Sequence, residues 1–228
     1  MPEQSRFEPG SYWDPARRTA SLERMIAIRD SDEMQAMMRA IGEMAAEGDP
    51  AAAAAFLATS APTPTPAGSI SRERCVFRRG RDGDAADLAA LIVAGELPPF
   101  FLEPYIEGFL VIEHDRRLIG AGGLEFYGDD AVVRSVVVDP AARGLGLGLE
   151  IARLLEADAV ASGARDIYLF TLHAWPFWKR LGYADLPLDR WPEPVRENWQ
   201  YQFVTGFPAA SRDVHAMVKA SRTAPRPA

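Results

Sequence analysis

Residues 136–148 read Val-Val-Val-Asp-Pro-Ala-Ala-Arg-Gly-Leu-Gly-Leu-Gly. An apolar, β-branched run delivers the chain to a glycine-rich turn, and a helical pattern starts at once. Leu147, Ile151, Leu154, Leu155 and Ala159 fall on one face, with Glu150, Arg153 and Asp158 away from it. A strand this apolar is covered on both sides. The turn between them has a chemical meaning. A helix N-terminus offers unpaired N–H groups and the positive end of a dipole. Glycines let that backbone approach an anion with no Cβ in the way. Together they form a cradle for a pyrophosphate.

Three kinds of cradle compete. A P-loop needs a lysine and a Ser or Thr after its last glycine, and Leu149-Glu150 stand there instead. A dinucleotide-binding turn is spaced G-x-G-x-x-G and wants an acidic residue ending the next strand. Here the spacing is G-x-G-x-G, and the next strand ends in Thr171-Leu172-His173. The third kind, R-x-x-G-x-G, is met from Arg143 through Gly146 to Gly148.

Composition narrows the partners. Twenty-five Lys and Arg against 32 Asp and Glu give a net charge of −7, which argues against broad contact with nucleic acid. One cysteine, Cys75, allows no internal disulfide. His114, His173 and His215 show no metal-ligand spacing, so no metal is expected. No apolar run reaches the ~20 residues of a membrane span, and the first twenty residues have no signal-peptide core. The expectation is a cytoplasmic protein with no membrane or nucleic-acid partner.

The pattern divides the chain in three. Residues 1–60 read as a helical N-terminal extension, 61–70 as a proline-rich linker (APTPTPAGS and Ile70), and 71–228 as the main domain. The extension packs on its own domain or on a twin subunit, which leaves a homodimer open. In the main domain strands are expected at Cys75–Arg79, Gly108–Glu113, Leu118–Phe126, Ala131–Asp139 and Asp166–Leu172. Further strands are read at Tyr183–Leu186 and Gln200–Val204. Helices are expected at Asp82–Ala94, Leu147–Ser162, 175–181 and Arg212–Ala220. Antiparallel strands followed by a strand–helix–strand crossover predict a mixed α/β (α+β) sheet, mostly antiparallel, flanked by helices.

Over about residues 75–205 the chain resembles the GNAT superfamily of acyl-CoA-dependent N-acetyltransferases. The resemblance is carried, in order, by VVVDP, RGLGLG, the amphipathic helix, IYLFTL and FWKRLGY at 177–183. Within that superfamily it looks most like the arsenic-resistance type N-acetyltransferases, whose acceptors are amino-acid-like. The resemblance implies a central sheet splayed after the first apolar strand, with acetyl-CoA as co-substrate. Val136, Val137 and Val138 would pair their backbone with pantetheine. Gly144, Leu145, Gly146, Leu147, Gly148 and Leu149 would wrap the pyrophosphate, with Arg143 beside it. The implied activity is acetyl transfer to the amine of a small acceptor. The alternative is a CoA-binding domain with weak or no catalysis, acting as a sensor or scaffold.

Acetyl transfer needs a proton taken from the amine, a stabilised oxyanion and a proton for the leaving thiolate. Many superfamily members place a tyrosine as acid where this chain has Trp178, so Tyr183, Tyr168, Ser135 or water must serve. Glu125 and His173 are the readable bases. Arg134 is the odd residue in AVVRSVVV, and a charge in a buried strand needs a partner. It either pairs with an acid such as Glu125 or grips an acceptor carboxylate. Phe101 and Tyr105 fall in the segment that should wall the acceptor side.

Overall fold

The apolar run at 131–138 sits in the middle of a seven-stranded sheet. The computed structural model describes residues 6–46, 70–208 and 211–220. Its strands are β1 (Val76–Arg79), β2 (Phe109–His114), β3 (Arg117–Tyr127), β4 (Asp130–Val138), β5 (Asp166–Thr171), β6 (Ala184–Asp185) and β7 (His215–Ala220), in the order β1-β2-β3-β4-β5-β7-β6. The β4–β5 pair is parallel, and every other neighbouring pair is antiparallel. A long crossover is the usual way to join parallel neighbours. Helix α4 (Leu147–Ala161) supplies it here, buried along Leu147, Ile151, Leu155 and Ala159.

Two departures from regular pairing shape the sheet. β4 and β5 share partners only from Ala131↔Ile167 to Val133↔Leu169. Beyond Val133 they part, and β4 presents a free edge from Arg134 to Val138. On the other side the β3–β4 register jumps between Ala121↔Val137 and Gly123↔Arg134, so Ser135 and Val136 together oppose Gly122. Ser135 takes φ +50, a left-handed conformation in an otherwise extended strand. That is a β-bulge, and it reverses the side-chain alternation beyond it. A regular strand would put Arg134 and Val136 on one face. Instead Arg134 faces Phe109, whereas Val136 lies on the α4 side, near the space a Cβ at Gly122 would fill among Ile151 and Leu155.

The N-terminal helices are α1 (Pro15–Arg29), capped by Asp14, and α2 (Asp32–Ala46). α1 packs against β3 and the 3-10 turn Glu103–Gly108. The segment before it is stitched down by Phe7 N–H to Phe77 O at 2.8 Å and Gly10 N–H to Asp158 Oδ1 at 2.7 Å. Arg29 at the end of α1 pairs with Glu197 at 2.9 Å. The last part of the expected helical extension, residues 47–60, and linker residues 61–69 lie outside the described residues.

Helix α3 (Ala85–Ala94) follows a 3-10 turn at Asp82–Asp84 and buries Leu88, Leu91 and Ile92. Short helix α5 (Trp175–Arg180) follows β5, and α6 (Glu193–Arg196) and α7 (Trp199–Gly206) come next. Two expectations fail here. Gln200–Val204 is not a strand but part of α7, whose first N–H groups are capped by Asn198 Oδ1 at 2.9 Å and 3.2 Å. Arg212–Ala220 is not a helix. Its residues 215–220 form β7, because β5 needs an antiparallel partner on its outer edge and Met217 fills the core opposite Leu169.

Candidate functional site

The turn between β4 and α4 is held by its flanks and open in its centre. Asp139 caps the 3-10 turn Pro140–Ala142 through Ala141 N–H at 2.8 Å and is itself paired with Arg117. Gly144 (φ +85) and Gly146 (φ +75) take left-handed conformations that L side chains rarely adopt. A Cβ on Gly144 would meet nothing within 4 Å. Glu150 N–H bonds to Gly146 O, but among the described residues the backbone N–H groups of Gly144 to Leu149 find no acceptor. A helix start ordinarily leaves four such donors. Six in succession, beside a free strand edge, form a run of donors suited to a pyrophosphate. Arg143 is exposed, and its side chain forms no hydrogen bond or ion pair among the described residues.

The free edge of β4 runs directly into this cradle. Val136 and Val138 are half-buried and Val137 is buried, so side chains are in the core while backbone groups on the β5 side are unpaired. Val138 Cγ2 lies 3.7 Å from where a Cβ on Gly148 would stand. Strand edge and cradle are therefore one continuous surface.

On the Arg134 face of the sheet lies a second, closed cluster. Arg134 Nη1 is 2.8 Å from Glu125 Oε1. Its remaining bonds go to Phe101 O at 3.3 Å, Phe100 O and Ser135 Oγ. Glu125 Oε2 accepts from Tyr127 Oη at 2.8 Å and Asn198 Nδ2 at 3.0 Å. Trp199 covers the guanidinium at 5.1 Å. Burial first, then the Glu125 charge, push the Tyr105 and Tyr127 hydroxyls well above their ordinary range, so both keep their protons.

Phe101, Tyr105, Glu125 and Arg134 thus come together, and His173 does not join them. Of the two roles open to Arg134, the ion pair is the one that forms. A guanidinium this buried, bonded to protein acceptors, is not extended toward an acceptor carboxylate. Glu125 is shut from solvent, with both oxygens occupied. His173 stands exposed in the turn after β5, without a hydrogen bond or ion pair among the described residues. Trp178 is buried edge-on against Phe177 and Tyr183. Tyr183 is raised well above its ordinary value by burial and then by Glu156, which makes it a reluctant acid. Ser135, at the bulge, stands where the strands part. Asn198 was missed because its surroundings read as a strand; an Asn before an aromatic-rich run was the available sign of a cap.

The surroundings of the site set further limits. Among the described residues no group of three or more His, Cys, Asp or Glu could hold a metal, and no helix is long and apolar enough to cross a membrane. A cleft of about 310 Å³ lined by Tyr12, Arg17, Arg24, Asp82 and Glu107 lies between α1 and the 3-10 turns, apart from the cradle.

Residues 83–183 match the family model described as Acetyltransferase (GNAT) family. Over these residues the chain is similar to the GNAT family of acetyltransferases. The match spans α3 to α5, hence the free edge and the cradle. The chain is 31% identical over 103 residues to the amino-acid acetyltransferase of Ralstonia nicotianae, covering 43% of this chain and 23% of that relative. It therefore spans less than a quarter of that relative's length. N-acetylglutamate synthase from Neisseria gonorrhoeae, solved with coenzyme A and N-acetyl-glutamate, superposes with a TM-score of 0.55 at 22% identity, over 64% of this chain and 35% of that one. A GNAT-family acetyltransferase from Staphylococcus aureus superposes with a TM-score of 0.52 at 12% identity, over 64% of this chain and 98% of its own. These likenesses establish the splayed GNAT fold.

Proposed function

We propose that this chain is an acetyl-CoA-dependent N-acetyltransferase acting on the amine of a small, amino-acid-like acceptor. One observation carries the reading: six unpaired backbone N–H groups, Gly144 to Leu149, adjoin the unpaired β4 edge inside the segment similar to the GNAT family. Acetyl-CoA would supply an activated acetyl thioester. The chain's own residues would do the rest. Gly144 to Leu149 hold the pyrophosphate with Arg143 alongside, and the β4 edge at Val136–Val138 pairs with pantetheine and fixes its depth. Ser135, where the strands part, lies nearest the place the thioester would reach. Transfer is direct, with no covalent enzyme intermediate.

The acceptor class is supported by the names of the relatives, an amino-acid acetyltransferase and an N-acetylglutamate synthase. Proton removal falls to solvent at the mouth of the splay, since Glu125 is enclosed. Such a step contributes only ~10²–10⁴-fold, so a positioned water suffices. Assaying thiol release from acetyl-CoA across a panel of amino acids and simple amines tests the reading. Turnover with at least one amino-acid-like amine is expected. CoA binding with no turnover on any amine would favour the sensor or scaffold reading, for which Trp178 at the usual tyrosine position is the motive.

A further inference from the structure

The cradle contains a side chain that belongs to neither the glycine motif nor the strands around it. Arg72 lies in a 3-10 turn (Arg72–Arg74) just before β1, more than seventy residues upstream of the glycines. Its Nη1 donates to Leu145 O at 2.7 Å, and its Nη2 meets Glu150 in the first turn of α4. A Cβ on Gly146 would stand 3.3 Å from Arg72 Nη1, so the guanidinium occupies the space directly above the central glycine. The turn is anchored at its base. Ser71 N–H donates to His114 Nε2 at 3.3 Å, and Arg74 pairs with Asp115 at the β2–β3 turn.

We infer that Arg72 is a pyrophosphate-binding residue of the acetyl-CoA site, delivered from outside the glycine loop; this deepens the function proposed above and rests on it. The charges support the assignment. Six unpaired N–H groups line the cradle, but Glu150 places a carboxylate in the first turn of α4, which would repel a bound pyrophosphate. Arg72 stands between the two and neutralises it. Its ion pair with Glu150 is exchangeable, because both side chains are substantially exposed (49% and 33%) and such pairs contribute little. A pyrophosphate offers a doubly charged, planar-fork-compatible partner in the same place. Arg72 turns its fork onto that anion while Leu145 O continues to steady Nη1.

The test is calorimetric titration of CoA and of dephospho-CoA into the wild type, Arg72→Ala and Glu150→Gln, with thermal melts as the control for folding. Arg72→Ala should weaken CoA by about ten- to a hundredfold, the loss of a charged hydrogen-bonded contact. Dephospho-CoA, which keeps the pyrophosphate, should lose the same factor. Glu150→Gln should tighten binding, since it frees Arg72 and removes the repelling charge. Unchanged or tighter CoA binding by a folded Arg72→Ala protein overturns the assignment, as does a loss that vanishes with dephospho-CoA. Weaker binding by Glu150→Gln overturns it too. A wild type that binds no CoA at all overturns both this inference and the function beneath it, and is thereby distinguished from a failure of Arg72 alone.

Discussion

Arg134 Nη1 and Glu125 Oε1 lie 2.8 Å apart with side chains 0% and 1% exposed, a fully buried ion pair at the point where β4 and β5 separate. The pair does more than neutralise itself. Arg134 also bonds the carbonyls of Phe100 and Phe101, and Phe101 sits at φ +54. The guanidinium therefore pins the segment leading out of α3 onto the sheet beside the splay.

Removing one partner of a buried pair leaves the other uncompensated. Arg134→Ala should lower stability by about 3–5 kcal/mol, measured by urea unfolding. Arg134→Lys should recover little, since a point charge cannot span two carbonyls and a carboxylate. A stable Arg134→Ala protein whose only defect is a raised KM for the amine would show that the arginine faces the acceptor after all.

Trp178→Phe should reduce kcat by less than about tenfold, because Trp178 is packed edge-on between Phe177 and Tyr183 and an indole N–H is too weak an acid to protonate a thiolate. Steady-state kinetics on the variant decide this. A loss of about a hundredfold at normal melting temperature would assign it a direct role.

Acid sensitivity should concentrate at Asp84. Burial raises its pKa, but the Arg78 fork at 2.7 Å and 2.9 Å and the Arg81 N–H at 2.8 Å outweigh burial and bring it below the usual 3.8. A depressed folded pKa stabilises above the unfolded value, and that contribution is lost as pH falls through the folded one. Asp84→Asn should therefore cost on the order of 2 kcal/mol at neutral pH, with the gap to wild type closing only below about pH 4. Urea melts at pH 7 and pH 3 check this; an equal gap at both would remove the ion pair from the account.

The strand–turn–helix at 131–161 was legible because its apolar run, glycines and helical face agree with one another and with the fold. Less legible was anything set by distant pairing. Residues 215–220 carry enough alanine, methionine and lysine to read as a helix, yet β5 recruits them as a strand. The bulge at Ser135 leaves no mark in composition, and it alone puts Val136 on the face opposite Arg134, which shares the Glu125 face through the regular pairing before the bulge. Arg72 lies outside every motif, and only the closed fold brings it to Gly146.

The central claim is that backbone N–H groups of Gly144 to Leu149 hold the pyrophosphate of acetyl-CoA. Calorimetric titration of acetyl-CoA into the wild type and Gly146→Val tests it most directly. A valine at φ +75 is strained and would meet Arg72, so a modest loss of stability, on the order of 1–3 kcal/mol, accompanies the change. The predicted result is binding by the wild type and at least about a hundredfold weaker binding by a still-folded variant. Equal affinity in the two proteins would contradict the account and place the acetyl-CoA site elsewhere.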